Sequence, residues 1–332
     1  MASIHFLNVN DGDCSIIQHN SGRVSVIDVC NAGPTQYLVE AVSKVAAATE
    51  KAVLGNFNQK AYPVNPISYL KEQGISDVHR LIVTHPDMDH IDGIEAFFSE
   101  FHPTNLWDTD NQEMKDFGAG SNGGYSEDDW TFYTRLRDAK PQDNPKRLAL
   151  VAGQQGKFWN QNDNGENGDG IHILAPTADH VGEANECGDY NDCSYVLLYR
   201  TNSYRILFAG DSHDKTWEYI LENHEDDVKN VELLIAPHHG RSSGRSFDFL
   251  DVLNPALTLF GNAKSEFLAY TAWSTRGLPK ITNNQAGSIL VDAGQTPMTV
   301  YVTCKNFALA SNEFSFEHPS HSGFHYWGVI QR

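Results

Sequence analysis

The chain has 332 residues, and its 43 Asp and Glu outnumber 24 Lys and Arg, for a formal net charge of -19 at pH 7. That length can bury a sizeable core in one large domain or two, while the acidic balance argues against general attraction to duplex nucleic acid or anionic membrane, because counterion-release binding needs Lys and Arg along the contact. A polyanionic substrate would therefore have to be met by metal ions and a local basic patch.

In chain order, residues 3–9 (SIHFLNV) and 14–19 (CSIIQH) read as a hairpin about the polar turn Asn10-Asp11-Gly12-Asp13, and residues 23–29 (RVSVIDV) alternate as a third strand ending on Asp28. The opening MASIHFLNV has no basic segment before a long apolar core, and no apolar run approaches the roughly 18 residues of a membrane span. Residues 35–48 have helical spacing, and Asn65 is placed to cap a second helix that Gly74 stops. A short buried strand, Leu81-Ile82-Val83, then runs into THPDMDHIDG, followed by a helix over 93–100 whose N-terminus would favour an anion or hydroxide. From about 108 to 170, Gly, Asn and Asp dominate around one helix-like run, WTFYTRLRDA, so this stretch reads as a lid-like insertion within a single domain spanning 1–332. Its Trp107, Trp130 and Trp159 either form an aromatic lid or anchor the long loop. Strands return at 171–176, SYVLLYR and YRILFAGD, then a helix over KTWEYILENHEDD, a strand into LIAPHHG, a helix over FDFLDVLNP and a closing hairpin of GSILVDA and MTVYVTC. Strands followed by helix, twice over, make an αββα four-layer sandwich of class α/β the economical architecture. Cys14, Cys30, Cys187, Cys193 and Cys304 are odd in number and lack C-x-x-C spacing, so they read as reduced thiols of a cytoplasmic protein.

The chemistry concentrates in His85, Asp87, Asp89 and His90: two imidazoles and two carboxylates within six residues at a strand's end, donors suited to borderline or hard divalent metals. Four such groups packed without a cation would repel or sit desolvated. The spacing H-x-D-x-D-H, with Asp211 after ILFAG, the pair His238-His239 in LIAPHHG and the opening hairpin, resembles the metallo-β-lactamase superfamily, and more closely its competence-type (ComEC-like) branch. The resemblance implies the metallo-β-lactamase fold and two divalent ions, zinc or manganese first, held by His85, Asp87, Asp89, His90, Asp211 and His239. It also makes Asp28 and Asp13 supports of the metal loop, against the plainer reading of both as Asx turns.

Two departures from the superfamily pattern stand out. Asp87 replaces the usual second histidine, which hardens the first metal's ligand set towards manganese, magnesium or iron. The middle histidine has no clear counterpart; Asn191, Asp192 and Ser194 in YNDCSYVLL are the candidates to ligate or touch substrate, so the first metal could be weak or absent. On this reading Asp89 and His238 are catalytic, His238 acting on a substrate phosphate or as proton donor to the leaving group, with the roles of His238 and His239 open to exchange. Arg241, Ser242 and Lys264, with Arg245 and Ser243, are placed to hold phosphate. A phosphodiesterase or nuclease acting on a phosphodiester or nucleotide is the leading expectation. The alternatives are a zinc hydrolase of a thioester, lactam or lactone, and a catalytically weak nucleotide- or protein-binding module on the same fold.

Overall fold

Successive strand residues point to opposite faces, and Leu81 and Ile82 are both fully buried, so their strand has to be covered on both sides. The computed structural model, which describes residues 2–33, 56–118, 125–140, 142–161, 164, 168–201, 203–312 and 314–332, shows what covers it. The strands are β1 (Ser3–Phe6), β2 (Ser15–Gln18), β3 (Val24–Ile27), β4 (Arg80–Ile82), β5 (Asn105–Asp108), β6 (Lys146–Ala149), β7 (Ile171–Ala175), β8 (Val196–Arg200), β9 (Arg205–Phe208), β10 (Leu233–Ile235), β11 (Leu257–Phe260), β12 (Lys280–Thr282), β13 (Ile289–Asp292), β14 (Met298–Val302) and β15 (His325–Ile330). They form a nine-stranded sheet, in the order β15-β14-β13-β1-β2-β3-β4-β5-β6, and a six-stranded sheet, in the order β12-β11-β10-β9-β8-β7.

Ile82, with Ile4, Phe6 and Ile27 of its own sheet, packs against Leu197, Phe208, Ile235 and Leu259 of the other, making the core between the sheets. Leu81, with Ile16 and Val26, faces the opposite way, onto the apolar sides of helices α1 (Pro66–Glu72), α2 (Ile94–Phe101) and α3 (Glu127–Arg137). Beyond the smaller sheet, Leu207 and Leu234 meet Trp217 and Ile220 of a long helix, Asp214–Val228. The layering is thus helix, sheet, sheet, helix. Burial of each such aliphatic or aromatic side chain contributes about 1.5–3 kcal/mol, so the three apolar layers hold the strand ends in place.

Local signals behave as their chemistry demands. Asn65 accepts hydrogen bonds from the N–H groups of Ile67 and Ser68 at the start of α1, and β13 pairs antiparallel with β14 as the closing hairpin. The helix expected over 35–48 lies outside the described residues. The helix Ala178–Cys187 has a capping box between Thr177 and His180, where the glutamate or glutamine that usually marks such a start is replaced by histidine. Within 108–170, α3 packs on the first sheet and β6 pairs parallel with β5 at its edge. The tryptophans are anchors: Trp107 is buried between the sheets with its ring 5.4 Å from that of Trp159, and Trp130 is buried on the helix side. The five cysteines are free thiols, and no described helix is long and apolar enough to cross a membrane.

Candidate metal centre

The parallel strands β3 and β4 of one sheet and β9 and β10 of the other end at the same rim, and each delivers a chemical group in the turn that follows it. β3 leads to Asp28, β4 to His85–His90, β9 to Asp211 and β10 to His238-His239. The backbone is held in uncommon conformations there: Asp28, His238 and His239 have φ of 57°, 51° and 57°, in the left-handed region that costs a residue with a Cβ about 1–3 kcal/mol. Close approach fixes two glycines. A Cβ on Gly12 would lie 1.8 Å from the Asp89 carbonyl oxygen, and one on Gly240 would lie 2.3 Å from the Phe260 ring.

Asp28 ties the loop down. One of its oxygens accepts the Thr84 N–H at 2.7 Å, and the other accepts the Thr84 hydroxyl at 2.7 Å and meets His90 Nδ1 at 2.8 Å. That contact holds a proton on His90 Nδ1, so that Nε2 is the nitrogen left to take a second proton or a cation. Asp13 Oδ1 lies 3.1 Å from His239 Nδ1, an ion-pair contact in which neither atom has a hydrogen-bond partner. The Nε2 nitrogens face carboxylates. His239 Nε2 lies 3.3 Å from Asp89 and 3.7 Å from Asp211, His90 Nε2 lies 3.5 Å from Asp211, and His85 Nε2 lies 3.9 Å from Asp211.

These atoms carry the test of whether a cation fits. The Nε2 atoms of His85, His90 and His239 and the Oδ1 of Asp211 are buried, and none has a hydrogen-bond partner. Buried polar atoms are otherwise almost always paired. The imidazoles and carboxylates gather in overlapping groups, His85-His90-Asp211, Asp89-His90-His239 and Asp13-Asp211-His239, a donor set suited to divalent cations. The local charge says the same. Burial works against a charged imidazole at His239, yet Asp13 and Asp211 outweigh it and push its pKa up to about 10; Asp211 and Asp28 likewise raise His90. Burial also opposes ionisation of Asp211, and His239, His90 and His85 outweigh it, holding the carboxyl well below its usual range. The site favours positive charge, and a bound ion would displace those protons.

His238 is built differently. Arg245 donates from Nη1 to His238 Nδ1 at 2.8 Å, so the imidazole hydrogen sits on Nε2, 3.5 Å from Asp211 Oδ2. Burial leads the lowering of its pKa to about 3. The two adjacent histidines are thus held differently: His238 Nδ1 is occupied by Arg245, whereas His239 Nε2 is buried without a hydrogen-bond partner.

The sequence matches the family profile described as "Metallo-beta-lactamase superfamily" over residues 7–251. The chain belongs to that superfamily. Superfamily members are mostly metal-dependent hydrolases that bind divalent ions. A comparison with curated protein sequences finds no match. Among solved structures, the chain is similar to Igni18, a metallo hydrolase from the archaeon Ignicoccus hospitalis, with 12% identity, 84% of this chain and 94% of that chain covered and a TM-score of 0.45. It is similar to CmlA, a diiron β-hydroxylase from Streptomyces venezuelae, with 11% identity, coverage of 84% and 52% and a TM-score of 0.43. It is also similar to a diphosphatase of the PhnP family, with 12% identity, coverage of 79% and 86% and a TM-score of 0.37.

Against the superfamily pattern, several expected contributors fall elsewhere. Asp87 does not join the converging donors: its Oδ1 accepts from Lys115 Nζ at 3.1 Å. Ser194 is fully buried and its hydroxyl accepts the Asp211 N–H at 3.1 Å, so it supports Asp211 and has no surface to offer a substrate. Arg245 is turned inward, donating to the carbonyls of Asp211 and Ser212 as well as to His238, which takes it out of any phosphate-binding role. The N-terminus of α2 is closed by Asp129, whose two oxygens accept the N–H groups of Gly93 and Glu95, so no anion or hydroxide can sit there. Asn191 keeps a buried amide oxygen without a partner, Ser242 is exposed in the loop after His239, and Arg241 is half-buried beside it. Lys264 lines a cavity of about 600 Å³ with Lys60, Asn58, Asn262 and Tyr125. That cavity adjoins the centre: a Cβ on Gly261, next to Asn262, would meet Asp13 Oδ1 at 2.9 Å and His239 Cβ at 3.0 Å. Asp13, Asp28, Arg245 and Lys115 complete the site. The strand-end acidic residues carried a signal in the sequence; Lys115, in a glycine- and asparagine-rich stretch, carried none.

Proposed function

We propose that this chain is a metal-dependent phosphodiester hydrolase, a phosphodiesterase or nuclease, of the superfamily's competence-type branch. The observation that carries the hydrolase reading is the convergence of unpartnered nitrogens on Asp211 at the rim. Asp89, His90, Asp211 and His239 would hold the ion, and His85 faces the same carboxylate. When bound there, a divalent ion such as zinc or manganese neutralises developing charge and lowers the pKa of a coordinated water towards neutrality.

The chain's own residues supply the rest. Asp28 orients His90 and holds Thr84 by two hydrogen bonds, and Asp13 sits at ion-pair distance from His239 Nδ1. His238, neutral, with its hydrogen on Nε2 and Arg245 behind it, is a hydrogen-bond donor aimed at Asp211 and hence at whatever binds beside that carboxylate. It would donate a hydrogen bond to a substrate or leaving-group oxygen and keep its proton. Lys60 and Lys264 are the cations of the adjoining cavity that would meet a phosphate, with Asp11 and Asp92 in the same lining balancing their charge. Tyr125 offers a ring for a base or sugar, and Arg241 and Ser242 lie at the loop edge for a second phosphate oxygen. We take residues 1–332 as one such domain working in the cytoplasm, with the loops of 108–170 bordering the site.

The test is turnover of a generic phosphodiester, bis(p-nitrophenyl) phosphate, against a generic carboxylic ester and a β-lactam, with manganese or zinc added to metal-stripped protein. Phosphodiester hydrolysis that disappears with chelator and in Asp89→Ala supports the reading. Ester or lactam turnover with the phosphodiester left intact would replace it with the carbonyl-hydrolase alternative.

A further inference from the structure

The metal loop reads as a two-ion motif, yet its two halves are built differently. On one side, Asp89, His90 and His239 bring ligand atoms to within 4.8 Å of one another, and so do Asp13, Asp211 and His239; among the described residues His85 shares such a group only with His90 and Asp211, which the first side already uses. On the other, Asp87 belongs to no such group among the described residues. Its Oδ2 is 3.6 Å from His85 Nε2, but its Oδ1 is held by the Lys115 ammonium, which also lies 3.7 Å from Glu113 and 5.4 Å from the centre of the Trp130 ring. The Lys115 side chain is only 13% exposed. A lysine so placed, between two carboxylates and over an aromatic face, is fixed in position and brings its own positive charge.

The stretch that should supply a further ligand does not reach across. Asp192 turns to His213, 3.3 Å away; Cys193 donates its thiol hydrogen to the Tyr190 carbonyl; and Ser194 accepts from the Asp211 backbone. The missing middle histidine is therefore not replaced by another imidazole or carboxylate from this segment. What stands next to Asp87 is a cation already.

We propose that the Lys115 ammonium takes the place of one of the two metal ions, so that the chain binds a single divalent ion tightly, at Asp89, His90, Asp211 and His239. The proposal rests on the metal-site reading given above. It deepens that reading by assigning Lys115 as a positioning residue that neutralises Asp87 and keeps it from ligating. Removing the ammonium leaves Asp87 free to turn towards His85, and with Asp211 Oδ2 at 3.9 Å from the same imidazole, three donors then face one point.

Calorimetric titration of metal-stripped, full-length protein with manganese, with manganese electron paramagnetic resonance on the same samples, tests this without reference to activity. The wild type is expected to take up one tight equivalent and give an uncoupled mononuclear signal. Lys115→Met is expected to bind a second equivalent at least about tenfold more tightly than the wild type does, with a spin-coupled pair, and Lys115→Met combined with Asp87→Asn is expected to lose it again. Lys115→Gln, which keeps length and a hydrogen bond, guards against a folding defect in the Met variant. Two equal equivalents in the wild type overturn the proposal, as does a single equivalent in folded Lys115→Met or Lys115→Gln. No manganese bound by the wild type sinks the metal-site reading itself, an outcome distinct from either.

Discussion

The two ends of β4 each carry a buried charged cluster, and they are finished in opposite ways. At the start of the strand, Asp169 accepts from Arg23 at 2.8 and 2.9 Å, from Arg80 at 2.9 Å and from Ser21 at 2.7 Å, while Arg80 also donates to Ser25. Both oxygens of Asp169 have protein donors as partners. At the far end, Asp211 is surrounded by imidazoles whose facing nitrogens have none. The difference teaches how to tell the two kinds of buried charge apart: a carboxylate closed by guanidinium groups is a completed ion pair, and one faced by histidine nitrogens without hydrogen-bond partners has the donor set a cation could use.

The comparison can be broken by substitution. Asp211→Ala should abolish tight metal binding, a loss larger than the about 100-fold that removing an outer partner causes, and turnover with it; metal analysis of purified protein checks this. If Asp211→Ala retains its metal, the far end of β4 is no different from the near end. Asp169→Ala should strand the buried Arg80, and leave the half-buried Arg23 unpaired, lowering stability by about 3 kcal/mol in urea unfolding, by the same amount with metal or with chelator. A loss that vanished in chelator would mean the two clusters are coupled.

Smaller effects sharpen the contrast. Asp28→Asn keeps the size of the group that orients His90 while removing its charge, and should weaken metal affinity by about 10–100-fold, measured by competition with a chromogenic chelator, with the fold intact by circular dichroism. The smallest effect is acid sensitivity of the closed cluster. Burial opposes ionisation of Asp169, but its hydrogen bonds from Arg23, helped by His19, Ser21 and Arg80, hold its pKa at about 2. Because the folded value is depressed, the stabilisation is full above the ordinary carboxylate value near 4 and is lost as pH falls through about 2, amounting to at most about 2 kcal/mol, less whatever solvent screening of Arg23 removes. Acid titration of stability in chelator should show that loss in the wild type and not in Asp169→Asn.

What could be read from the chain follows the range of each interaction. His85, Asp87, Asp89 and His90 share one turn, so residue type and spacing alone are enough to mark a site there. Arg245 and Ser194 looked like substrate contacts for the same local reason, because they follow or precede the motifs closely, and both proved to be internal supports of Asp211 and His238. The α2 N-terminus looked open because Asp129, which closes it, lies more than thirty residues further on.

By itself the sequence determined the alternation of apolar residues that stacks two sheets between helices, the acidic surface, and the order of ligand-type residues at strand ends, since each of these is a pattern of neighbours. Only the tertiary structure decided which lone pairs remain free. Arg23 and Arg80 reach Asp169 across separations of 146 and 89 residues, Lys115 reaches Asp87 across 28, and Asp28 reaches His90 across 62. Whether a buried carboxylate is already paired is set by what the fold brings to it in space, and spacing along the chain carries no trace of that.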